Sequence, residues 1–197
     1  MFIVLLVAPA MAQNQLQPGA TTAATGPAYD VSVGYTYLQM AIPGAGHVNA
    51  NGLDVSGRLD LSPRWGATID SDGVLTTNVF GTPHDGYALT LQTGPVFYAI
   101  DRRKMRIFVR ALGGVGRVDG AVPISDNKFR YGWVVRPAYA LGAGVEHSLS
   151  GRFAVRFVGD YLRTSFLDSA ATIQPQNSFR FTVSVVVRPR KYQYRGF

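Results

Sequence analysis

Tyr29-Asp30-Val31-Ser32-Val33-Gly34-Tyr35-Thr36-Tyr37 decides how this chain is read, because its aromatic and β-branched residues fall on odd numbers and its polar or small residues on even ones. Successive side chains of a strand point to opposite faces, so this is a strand with one apolar face. The same parity runs on through the chain. Leu53, Val55, Leu59 and Leu61 oppose Asp54, Ser56, Arg58 and Asp60; Trp65, Ala67 and Ile69 oppose Thr68 and Asp70; Tyr87, Leu89 and Leu91 oppose Ala88, Thr90 and Gln92. Ile107, Val109, Ala111 and Val115 then oppose Arg106, Arg110 and Gly114, and Trp133, Val135, Tyr139, Leu141 and Val145 oppose Arg136, Gly142 and Glu146. Phe153, Val155, Phe157 and Tyr161 face away from Arg156 and Asp160, and Phe179, Phe181, Val183, Val185 and Val187 away from Arg180, Thr182 and Ser184. The pattern makes eight strands.

Alternation alone does not say which face meets solvent, since a soluble sandwich also alternates, with its apolar face inside. Three features favour apolar-out. The even-numbered face is mostly Gly, Ala, Ser and Thr with a few charges, which suits a narrow lumen better than a free surface. Aromatics gather at the strand ends, Tyr29, Trp65 and Phe153 at one edge and Tyr37, Tyr87, Trp133, Tyr161 and Phe179 at the other, as in the paired girdles of a membrane barrel. The connections alternate: short turns at Ser62-Pro63-Arg64, Asp101-Arg102-Arg103-Lys104 and Ser148-Leu149-Ser150-Gly151, and longer polar stretches at 41–51, 73–85, 119–131 and 165–176. Short turns and termini belong on the periplasmic side of such a barrel. In hydrocarbon no backbone polar group can be left to water, so the sheet must close. The expected fold is therefore all-β, an eight-stranded antiparallel up-and-down transmembrane β-barrel. Pro95 and Pro137 fall on the apolar parity and cannot donate a ladder hydrogen bond, so bulges or strand ends are expected there.

The chain of 197 residues is 47% hydrophobic, contains no cysteine and carries a formal charge of +7. Thiol chemistry and disulfides are excluded. The cations are scattered singly through the alternation and make no basic helix face, which argues against nucleic acid as a partner. Phe2 to Pro9 is a short apolar run followed by Ala10-Met11-Ala12, the small-x-small pattern of a secretory cleavage site. The division expected is a signal peptide over 1–12, a flexible leader over 13–28, the barrel over 29–189 and a basic tail over 190–197.

Tyr139-Ala-Leu-Gly-Ala-Gly-Val-Glu146, Leu149-Ser-Gly-Arg-Phe-Ala-Val-Arg156, Gly159-Asp-Tyr-Leu-Arg-Thr-Ser-Phe166 and the closing Phe179-Arg-Phe-Thr-Val-Ser-Val-Val-Val187 resemble the small outer-membrane β-barrel family, the porin-like relatives of the membrane domain of outer membrane protein A. The likeness is best from Tyr87 onward. It implies a place in the cell outer membrane of a Gram-negative envelope, contact with outer-membrane lipid and lipopolysaccharide, and recognition by the barrel-insertion machinery during assembly. A monomer is expected.

The even-numbered charges Asp54, Arg58, Asp60, Asp70, Arg106, Arg110, Arg136, Glu146, Arg156, Asp160 and Arg180 fall on the lumen parity. Side chains fill so narrow an interior, and carboxylate–guanidinium pairing is expected to plug it or, if the pairs rearrange, to gate it. Glu146 is expected to pair with Arg110, Arg156 or Arg180. A lipid-modifying enzyme would need His, Ser and a carboxylate near the outer leaflet. His147, between Glu146 and Ser148, falls at the other end, and His47 and His84 fall in outer connections, so no catalytic residue is assigned. Three dispersed histidines give no metal site, and no cofactor is expected. Asp70-Ser-Asp72-Gly73 lacks the remaining ligands of a calcium loop and is read as a turn. Gly113-Gly114-Val115-Gly116 and Gly142-Ala143-Gly144 open no helix, so they are read as close strand packing. The function expected is a structural or surface-interaction role through the outer connections; a small ion- or solute-conducting barrel is the alternative, and a lipid-modifying barrel comes third.

Overall fold

The computed structural model describes residues 28–42, 46–77, 85–102, 104–125, 128–165 and 175–189. The proposed signal peptide, most of the leader, the basic tail and His84 lie outside them. Eight strands are present: β1 (Ala28–Ile42), β2 (Gly46–Asp60), β3 (Trp65–Thr76), β4 (Gly86–Asp101), β5 (Met105–Ser125), β6 (Lys128–Ser148), β7 (Phe153–Thr164) and β8 (Gln176–Val187). Each pairs antiparallel with the next, and β1 pairs with β8 from Val31 opposite Val187 to Met40 opposite Ser178, closing the barrel. Within the wall, closure gives every strand a partner on both sides.

The odd residues face outward and the even residues inward. Leu53 and Leu141 are 66% and 64% exposed, whereas Arg156 and Glu146 beside the same strands are 2% and 0% exposed. An apolar outer wall around a closed, polar-lined sheet requires hydrocarbon, not water, as the outer solvent. The three short turns are tight. Leu61 and Ser62 donate their N–H groups to the Trp65 carbonyl at 2.9 Å, Arg102 and Met105 exchange backbone hydrogen bonds at 2.9 and 3.1 Å, and Leu149 and Ser150 donate to the Phe153 carbonyl at 2.9 and 3.0 Å.

At the opposite end the sequence reading needs correction. Two of the polar stretches taken as long connections are in good part strand: β1 and β2 stay in register to Ile42 opposite Gly46, and β5 and β6 stay in register to Pro123 opposite Phe129 and, after a shift, pair again at Ser125 opposite Lys128. A ladder that has left the bilayer no longer needs an apolar face, so its residues look like loop residues although their backbone remains paired. The Asp70–Gly73 segment is also no turn; it runs through β3, which continues to Thr76. No register shift occurs at either proline. Pro95 stays opposite Ala67, while the β4–β5 pairing skips it between Thr93 and Val96, and Pro137 stays opposite Val115, two residues before β6 meets β7 at Tyr139. Both prolines thus sit where one neighbouring ladder is interrupted. The β4 irregularity falls instead between Tyr98 and Ile100.

Candidate functional site

The lumen contains the only dense chemistry among the described residues, arranged in two ionic layers beneath an apolar one. Nearest the short turns, Glu146 on β6 is a hub. Arg156 donates to its Oε2 from Nε at 2.9 Å and places Nη2 at 2.8 Å, Arg188 donates to Oε1, and Arg58 and Arg106 lie at 3.6 and 4.0 Å. Arg156 also reaches past β8 to Asp30 and Ser32 on β1, at 2.7 and 3.3 Å. Arg106 donates to Asp60 at 3.0 Å, lies 3.5 Å from Asp101 and stacks over the Tyr98 ring at 3.9 Å, while the Tyr98 hydroxyl donates to Asp60. Arg58 is held mainly by its face, 4.1 Å over the Phe108 ring.

The second layer lies towards the hairpin end. Arg110 grips Asp160 through both Nε and Nη2, at 2.9 and 2.6 Å, and donates from Nη1 to Asp70 at 2.7 Å. Such a two-pronged guanidinium–carboxylate contact fixes direction as well as charge. Arg180 shares the same carboxylates, donating to Asp160 at 2.9 Å, approaching Asp70 at 3.2 Å and donating to Asp72, which also accepts from Thr90. Asp54 stands opposite Asp72 in the register, 2% exposed, and its Oδ2 has no hydrogen-bond partner among the described residues. Gly142 makes this layer possible, since a Cβ there would lie 2.0 Å from Asp160 Oδ1. Gly144, one step along the same face, gives room to the Phe108 ring on which Arg58 rests. The close-packing reading of this glycine pair has that physical reason.

Above the ions the even positions turn apolar. Leu38, Met40, Ala50, Val74, Ala88, Leu112, Ala138, Ala140 and Leu162 form one buried cluster across the lumen. Sequence parity gave no warning of it, because on a strand with a strong apolar face the opposite positions are read as polar by default. Ten of the eleven expected lumen charges join the two layers or stand beside them. Arg136 does not: it is half-buried on β6 opposite Gly116, nearer the hairpin end, with Nε lacking a hydrogen-bond partner. Of the partners expected for Glu146, Arg156 is at hand, whereas Arg110 and Arg180 are taken by Asp160, Asp70 and Asp72 in the next layer. Asp30, Asp72, Asp101 and Arg188 were missed. Three of these are even-numbered and open to the parity rule; Asp101 is odd, and enters the lumen because the irregularity after Tyr98 reverses the parity.

Around the outside, Tyr29, Trp65 and Phe153 are exposed near the short turns, with Trp65 against Phe97 at 5.0 Å between ring centroids. Near the other end Tyr161 packs edge-on to Phe179 at 5.7 Å, Tyr87 and Trp133 are exposed, and Tyr37 is half-buried, donating to Asn49 at 2.9 Å. Arg117 lies 4.8 Å over Trp133. These are the two rims at which amphipathic rings meet the headgroups.

No protein-family model matches the sequence, and no curated protein matches it. Among solved structures, Neisserial surface protein A superposes with a TM-score of 0.64 at 11% identity, over 85% of this chain and 99% of that one. The attachment invasion locus protein of Yersinia pestis superposes with a TM-score of 0.57 at 15% identity, over 82% and 98%. This chain has the fold of the small outer-membrane barrels. The fold and the lipid-facing wall together make it a membrane-spanning barrel of the outer-membrane type, with its charge sealed inside. In this barrel Glu146 and His147 are successive strand residues, so the carboxylate lies buried in the lumen and the imidazole is exposed outside; they cannot act on one substrate.

Proposed function

We propose that the protein is an outer-membrane barrel with a structural and surface-interaction role, displaying its hairpins on a plugged and rigid scaffold. One observation carries the reading. β5 and β6 are each 21 residues long, against 12 for β7 and β8, and they remain paired as they outrun the wall, so the longest element projects from the end away from the short turns. Recognition is commonly carried by segments held on a rigid frame. The interlocked ions and the apolar layer above them support a closed interior over the conducting alternative, and an eight-stranded wall leaves little room beyond its own side chains.

The test has two arms. Replacing Ala121–Arg130 by a short turn leaves heat-modifiable gel migration intact and lowers attachment of cells that express the protein; unchanged attachment would remove the surface role. In planar bilayers the refolded protein gives no stable open levels. Stable levels in the unmodified chain that shift in Arg110→Ala would turn the assignment to conduction.

A further inference from the structure

The lipid-facing wall is not uniform. On β2 to β4, close to the short turns, Gly57, Ala67 and Thr93 present little side chain between Tyr29, Leu59 and Ile69, leaving a shallow groove of about 360 Å³. Packing of the barrel does not require the gap: a Cβ built on Gly57 would meet only the Ile69 methyl at 3.4 Å. The strands that wall the groove end in turns whose described charges are all positive and exposed, Arg64 before β3 and Arg102 with Lys104 after β4. The acids beside these turns, Asp60 and Asp101, face inward and pair with Arg106 in the lumen at 3.0 and 3.5 Å. Trp65, stacked on Phe97, marks the headgroup level between groove and cations.

We propose that the groove and these turns form a site for one anionic phospholipid of the periplasmic leaflet. An acyl chain lies over Gly57 and Ala67, and the phosphate lies among Arg64, Arg102 and Lys104. Hydrocarbon gains nothing by moving from neighbouring tails to an apolar wall, so the groove supplies shape and the cations supply the preference for negative charge. The site is independent of whatever the opposite hairpins bind.

The chain has two tryptophans, Trp65 and Trp133, so Trp133→Phe leaves one reporter at the site. This protein is reconstituted in phosphatidylcholine vesicles with increasing fractions of bromine-labelled phosphatidylglycerol or bromine-labelled phosphatidylcholine. The anionic lipid is expected to quench Trp65 at about a tenfold lower fraction than the neutral one, from three cations near one headgroup. Combined Arg64→Gln, Arg102→Gln and Lys104→Gln brings the two curves together, and Gly57→Leu, which fills the groove without touching the charge, weakens quenching by the anionic lipid while heat-modifiable migration is kept. Raising the salt narrows the gap in the unsubstituted rim, which keeps the test open if the triple variant does not fold. Superimposed curves for the two lipids, or a preference unchanged in the triple and Gly57→Leu variants, would overturn the proposal. Superimposed curves with retention on purified cell-wall sacculi that is lost in the triple variant would overturn it too, giving the cations to the wall polymer.

Discussion

The lumen layer around Glu146 and the layer around Asp160 use the same two kinds of side chain in different proportions. In the first, Asp30, Asp60, Asp101 and Glu146 stand against Arg58, Arg106, Arg156 and Arg188; in the second, Asp54, Asp70, Asp72 and Asp160 stand against Arg110 and Arg180. The first layer is balanced among the described residues and converges on one carboxylate. The second shares two guanidiniums among several acids and leaves Asp54 with no ion pair among the described residues. Burying charge costs several kcal/mol per ion unless partners repay it, so equal-looking acids in the two layers differ widely in what they contribute.

That difference can be broken most sharply at the hub. Glu146→Gln leaves four guanidiniums against three carboxylates at the short-turn end, and is expected to lower stability by about 3–5 kcal/mol, read from urea unfolding in lipid vesicles followed by tryptophan fluorescence. Gly142→Ala comes next. Its added methyl displaces the Asp160 carboxylate from Arg110 and Arg180 and is expected to cost about 1–3 kcal/mol in the same assay, with the barrel still migrating as a folded species. Asp54→Asn is the smallest and has the opposite sign: it removes a buried acid that has no ion pair, and stability changes by less than about 1 kcal/mol, towards the more stable. A large loss for Asp54→Asn would mean that the two layers are equally dependent on every acid, and the contrast would fall.

The barrel was legible in the sequence because lipid imposes one rule on every crossing: apolar residues out, at period two, with closure forced on the backbone. Tyr29 to Tyr37 and Phe179 to Val187, which pair with each other in the finished wall, state it most plainly. The lumen was legible only as a list of charges. Parity tells which side a residue faces but not its height, so Glu146 could not be told apart from Asp160 in its choice of arginine, and Leu38, Val74, Leu112 and Leu162 passed unnoticed on the face taken as polar. Asp101 was hidden for a further reason, since one irregular step in the β4–β5 pairing exchanges inside and outside for the residues beyond it on β4. The hairpin ends were misread because polar strand and polar loop have one composition once both stand in water.

The long β5–β6 pair also has a mechanical consequence. Its two members continue down into the wall, where β5 is laced to β4 from Asp119 to Arg106 and β6 to β7 from Tyr139 to Ser148. A pull on the tip along the strands therefore loads those two rows of hydrogen bonds side by side, in sliding rather than in peeling. An anchor loaded that way yields only when many bonds give together, so the projection resists being drawn out of the wall far better than a hairpin opened strand by strand would.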